Sequence, residues 1–158
     1  MEGGHSHMAV HSRDPQSLGA ALHDSPAGLA AWIVERRRAW SDSRGDVESV
    51  FSKDDLLDTL SIYWHTGTIG TSLRFYWENA QPFWQPAHDR EPPIEVPTGI
   101  AVFPEDLVIV PRATAERGAD LVHWTVMEAG GHFGPMEQPE ALVRDMWSWW
   151  RRVRAHSA

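Results

Sequence analysis

Five prolines, Pro82, Pro86, Pro92, Pro93 and Pro97, fall within the single stretch QPFWQPAHDREPPIEVP. No helix survives that density, because each proline removes an amide donor and its ring crowds the preceding turn. The stretch divides the chain into two textures. Helical periodicity precedes it, and short apolar runs of strand character follow it.

In the first texture, His5, His7, His11 and His23 stand among small residues with weak periodicity, and the beginning of residues 1–23 reads as loop. A helix start follows at Asp24-Ser25-Pro26, where Ser25 can cap and Pro26 suits the first turn. AGLAAWIVERRRAW then sets Leu29, Trp32, Ile33 and Trp40 near one face, with Arg36, Arg37 and Arg38 late, where the helix dipole favours cations. Ser52-Lys53-Asp54-Asp55 resembles a capping box with Asp in the place of Glu. It opens a helix with Leu56, Leu60, Tyr63 and Trp64 at helical spacing, broken by Gly67 and Gly70. Ser72 to Asn79 predicts a further short helix with Leu73, Tyr76 and Trp77 on one face.

Beyond the prolines, TGIAVF (98–103) suits a buried parallel strand, 113–117 a crossover helix, and LVHWTVM (121–127) a second strand. The turn EAGGHFGP leads to a last helix beginning around Gln138-Pro139-Glu140, with Leu142, Val143, Met146, Trp147, Trp150 and Val153 as its expected buried stripe. This strand–helix–strand–helix order predicts an α/β fragment. Two parallel strands are too few to stand alone, since each would leave an unpaired edge, so something is expected to cover them.

Composition narrows the function. The net charge of −8 argues against a general nucleic-acid binder, which needs a basic face to displace counterions. The absence of cysteine excludes a disulfide framework, a thiolate metal site and a thiol nucleophile. No apolar run approaches a membrane span, and MEGGHSHMAVHSRD has neither the basic nor the apolar region of a signal peptide, so the expected location is cytoplasmic. Nine tryptophans against two tyrosines point to apolar interfaces or a substrate pocket.

Chemistry concentrates at two strand ends. His132, in GGHFGP, follows the second strand, and Glu105 and Asp106, in VFPED, follow the first. Functional groups of open α/β sheets lie at the carboxyl ends of strands. Side by side, a carboxylate there can accept from the imidazole Nδ1–H and leave the other nitrogen as a base. A nucleophile should precede residue 106 at a strand-to-helix elbow. Gly4-His5-Ser6-His7-Met8 comes close to G-x-S-x-G but ends in Met8 with no strand before it, and Thr71-Ser72, Asp42 and Asp46 lie in unsuitable places. The early histidines lack the HExxH pattern of a metal site, and no metal or cofactor is expected.

From about Gly3 to Arg154 the chain resembles the C-terminal part of the microsomal-type epoxide hydrolases, which are α/β-hydrolases. The resemblance rests on LHDSPAGLAAWIVERRRAWSD, FSKDDLLDTLSIYWHTGTIGTSLRFYWEN, VPTGIAVFPED and GGHFGPMEQPEALVRDMW, in that order and at the right spacing. It implies a partial α/β-hydrolase fold: a helical cap segment over 1–92, then the last two parallel strands and helices over 93–158.

In that family an aspartate attacks an oxirane carbon to form an alkyl-enzyme ester. Two cap tyrosines donate to the ring oxygen, and a His oriented by an acid activates water to hydrolyse the ester. By resemblance His132 is the base and Asp106 its acid, with Glu105 a shifted second choice. Tyr76, in RFYWEN, is one of the two phenols; Tyr63 is not promoted. The other falls near residue 7, where this chain has HSHM, so His7 or His5 occupies its place.

The family's His-Gly-x-Pro-Gly segment and Asp nucleophile lie upstream of the region matched. The expectation is therefore a chain of epoxide hydrolase kind, acting on a small apolar epoxide, that turns over little by itself. The alternative is a non-catalytic remnant or a complementing fragment, folding fully on an N-terminal partner or by self-association. A serine esterase or haloalkane dehalogenase would also need an upstream nucleophile and gives Tyr76 no role.

Overall fold

The computed structural model describes residues 6–80 and 88–156. His5 and part of the proline stretch lie outside them. The chain divides between Trp84 and Gln85 into two compact units.

The first unit is helical. It contains α1 (Ser6–Arg13), α2 (Pro15–Asp24), α3 (Pro26–Trp40), a single 3-10 turn (Val47–Ser49), α4 (Lys53–Thr66) and α5 (Ile69–Asn79). The expected caps are present. The Ser25 hydroxyl accepts from the Gly28 amide at 3.0 Å. Ser52 and Asp55 form the reciprocal box, and those bonds hold the Asp55 carboxyl below its usual range. Gly67 ends α4 with φ 65°, a left-handed turn that glycine adopts without a Cβ penalty. Leu22, Leu29, Ile69 and Leu73 form the core, with Leu18, Trp32, Ile33, Leu60 and Tyr63 packed around it.

Three expectations are corrected here. From residue 6 on, the stretch expected to be loop is helical, over 6–13 and 15–24. Both helices pack on α5, and that tertiary burial overrides weak local periodicity. Gly70 does not break a helix; it lies in the first turn of α5. Trp77, expected beside Leu73 on an inner face, is 54% exposed.

The second unit holds β1 (Ile94–Val102), α6 (Arg112–Gly118), β2 (Ala119–Val126), a short α7 (Gly134–Glu137) and α8 (Pro139–His156). β1 and β2 pair in parallel, with Gly99 opposite His123 and Val102 opposite Val126. Gly99 is required by close approach: a Cβ there would stand 2.6 Å from the indole of Trp149 on α8. A buried polar pair reinforces that contact. His123 Nε2 lies 2.7 Å from the Asp145 carboxylate of α8, and the Thr125 hydroxyl is 3.0 Å from the same nitrogen.

The stripe expected to be buried on α8 is largely exposed, and this is a further correction. Val143, Met146, Trp147 and Trp150 all face outward and, with Trp149, line an apolar recess of about 420 Å³. The reason is geometric: two strands cover only the side of the helix that carries Asp145 and Trp149, although its apolar residues span much more of its circumference.

Candidate active site

The strand ends bring together the two groups of opposite chemistry. Met127 N donates to Val102 O at 2.8 Å, so the ladder runs to the last strand residue, and Glu105 then bridges to Gly131 in parallel register. Glu105 contributes its backbone to this bridge, donating to Gly130 O at 3.1 Å. The adjacent Asp106 contributes its side chain: its Oδ1 lies 2.9 Å from His132 Nδ1. The same oxygen accepts from the Leu107 amide at 2.7 Å, which fixes the carboxylate before the imidazole arrives.

Two further residues, not singled out from sequence, shape the turn. Glu137 accepts from the Gly131 amide and from the Phe133 amide, each at 2.9 Å, and so grips the backbone on both sides of His132. Phe103, buried at the end of β1, lies under the glycines of the turn. A Cβ on Gly130, whose φ is +109°, would stand 2.7 Å from that ring, and one on Gly134 closer still. The pattern G-G-H-F-G thus satisfies two demands, a left-handed backbone and an aromatic floor. The sequence signal for Glu137 is a carboxylate five residues beyond His132, in the first turn of α7.

A carboxylate can only accept, so Nδ1 carries the proton in the neutral ring and Nε2 presents its lone pair. The His132 side chain is 43% exposed, open enough for that lone pair to meet a water or a substrate. The second His–Asp pair, His123 with Asp145, does not have this arrangement. Both of its partners meet the same nitrogen, and the imidazole is buried.

Tyr76 lies in the helical unit, on α5. Its ring makes edge contacts with His7, at 5.5 Å between centroids, and with His11, at 4.8 Å. His7 also packs on Trp40 and His11 on Trp32, while the Arg36 guanidinium stands 4.0 Å from the Trp32 ring centroid. Both imidazoles are buried. Burial, then the neighbouring His7 and the Arg36 charge, push the His11 pKa down to about 4, so its ring is neutral at physiological pH. Tyr63 packs against the leucine core. Among the described residues, no group of three or more His, Cys, Asp or Glu side chains could hold a metal ion.

No family model matches the chain. A putative epoxide hydrolase of Stigmatella aurantiaca is 38% identical over 153 residues, covering 96% of this chain and 34% of that protein. Epoxide hydrolase 1 of Oryctolagus cuniculus is 40% identical over 148 residues, 89% of this chain and 32% of its own. The crystal structure of juvenile hormone epoxide hydrolase from the silkworm Bombyx mori matches with a TM-score of 0.85 at 30% identity, covering 98% of this chain and 41% of that one. The Aspergillus niger epoxide hydrolase structure matches with a TM-score of 0.76 at 29% identity, over 94% and 36% of the two chains. The chain spans about a third of the length of the curated relatives it matches. Helical segment, parallel strand pair and sequence agree: this chain corresponds to the C-terminal region of the epoxide hydrolases and carries part of an α/β-hydrolase fold.

Proposed function

We propose that the chain carries the base-and-acid half of an epoxide-opening site, used in hydrolysis of a small apolar epoxide to its vicinal diol. The observation that supports this most directly is the 2.9 Å contact between His132 and Asp106 at adjacent strand ends. In this reading Asp106 holds the ring, and Nε2 of His132 takes a proton from the water that attacks an alkyl-enzyme ester. The acyl C–O bond of the ester then breaks, the departing diol oxygen takes up the water's second proton, and the proton held by His132 returns through solvent to the phenol that gave one up when the oxirane opened. Tyr76 donates its phenolic proton to the oxirane oxygen as the ring opens. His7, against Tyr76, is the residue we assign to the place of the second phenol.

Glu105 is the less suited acid, because its neighbour's carboxylate already meets the imidazole. Residues 1–92 serve as the cap segment and 93–158 as the closing part of the catalytic domain. The ester-forming aspartate is supplied by the portion of the family fold that the match does not span. A cytoplasmic, detoxifying setting belongs to the same proposal. No described helix is long and apolar enough to cross a membrane.

Diol formation tests the reading. The purified chain alone should convert no styrene oxide. Mixed with the N-terminal portion of a relative such as the Bombyx mori enzyme, cut where the match begins, it should gain turnover that His132→Ala abolishes. Turnover by the chain alone would overturn the assignment of the nucleophile to another segment.

A specific observation favours a second reading, that of a complementing or self-associating fragment. Trp147 and Trp150 on α8, with Ile94 and Val96 on β1, leave apolar side chains open in the second unit. Among the described residues the sheet has two strands only. Size-exclusion chromatography discriminates: a monodisperse monomer with strong amide protection in β1 would count against this reading.

A further inference from the structure

His11 sits inside the helical unit without, among the described residues, the polar partner that a buried imidazole normally finds. Its residue is 6% exposed, and neither ring nitrogen has a hydrogen-bond partner among the described residues. Its neighbours are aromatic: His7 on α1, Trp32 on α3 and Tyr76 on α5.

The charged and titratable groups around it offer no compensation for a proton. From α1 comes His7, and from α3 the Arg36 guanidinium, itself bonded to Glu35 at 2.6 Å. From α5 comes Tyr76, while Arg74 and Glu78 of that helix are paired with each other at 2.7 Å. α2, which also packs on α1, has only His23 and Asp24 as ionisable side chains, both at its C-terminal end. Among the described residues no carboxylate lies within ion-pair distance of His11. A neutral ring is tolerated in this aromatic enclosure; a charged one would sit beside Arg36 with nothing to answer it.

We propose that His11 is an acid-sensitive latch: neutral, it lets α1 pack against α5 beside Tyr76, and protonated, it releases α1 and uncovers Tyr76. The sign follows from linkage. A released imidazole titrates near its ordinary 6.5 and the enclosed one near 4, so the released form takes up the proton first as pH falls. The latch is fully closed above 6.5 and weakens through the window down to 4. The inference is independent of the chemistry assigned to the chain.

Hydrogen exchange on the full chain, expressed as protection factors at about pH 7.5 and about pH 5, tests it. The α1 amides should lose protection roughly tenfold to thirtyfold, the span that the two titration points allow. The β2 and α8 amides should hold. His11→Phe, which keeps the ring and removes the titration, should abolish the loss. Unchanged α1 protection at pH 5, or an equal loss in His11→Phe, would overturn the latch. If that variant does not fold, NMR titration of the parent decides. Protonation of His11 coincident with α1 opening supports the proposal, and protonation with α1 still protected refutes it.

Discussion

The ring of Phe103 occupies the space that a side chain on Gly134 would need, its Cε2 lying 2.3 Å from the position of such a Cβ. The residue at the end of the acid-bearing strand therefore sets the turn that presents the base. Gly134→Ala should push Phe103 aside and draw Asp106 away from His132. Overpacking at a buried aromatic of this kind costs about 1–3 kcal/mol, measurable as a lower melting temperature. The His132 Nδ1 proton resonance, sharpened by the carboxylate, should broaden or disappear.

Asp106→Asn keeps the shape and removes the obligate acceptor. Nitrogen NMR should find a single tautomer of His132 in the parent, with the proton on Nδ1, and a mixture in the variant. In the complemented enzyme, diol formation should fall by roughly 10²–10⁴, the usual worth of a positioned general base. An unchanged rate would remove Asp106 from the mechanism.

Glu137→Gln replaces a carboxylate that accepts from two backbone amides with a neutral group of the same length. The loss should be about 1–3 kcal/mol, because charge-assisted bonds to buried amides are among the stronger ones. Amide exchange at Gly131 and Phe133 should accelerate before that of β2.

Leu73→Ala probes the helical unit. Leu73 is 1% exposed and sits in the core with Leu22, Leu29 and Ile69. A cavity there should cost about 2–5 kcal/mol. The effect should show in the exchange of α2 and α5 amides, while those of β1 and β2 stay as they were.

The parts of this structure that were legible in sequence have local causes. Ser25, the Ser52–Asp55 box and Gly67 each place a helix end through bonds within a few residues, and all three lie where the sequence puts them. The strand pair and its crossover helix follow from apolar runs and turn chemistry, although β1 begins at Ile94, earlier than the run 98–103 suggested. The contact of Asp106 with His132 was foreseeable because both residues close parallel strands.

What escaped depends on neighbours distant in sequence. α1 is held by its contacts with α5, which no window around residues 6–13 contains. The inner side of α8 is not legible in sequence, because a helix with apolar residues over so much of its surface does not say which of them meets the sheet. Glu137 shows in the sequence only as a carboxylate near the start of α7; that its partners are the backbone amides on both sides of His132 leaves no trace in the pattern of side chains.

The buried pairing of His123 with Asp145 bears on that last ambiguity. A helix so rich in Trp could roll about its axis and bury Trp147 or Trp150 against β1 and β2 in place of Trp149. Rolling would pull Asp145 out of reach of His123 and strand two polar side chains in an apolar layer, a penalty of several kcal/mol. The pair works as a rotational key: it admits one azimuth of α8, and in that azimuth Trp147 and Trp150 look outward by specification.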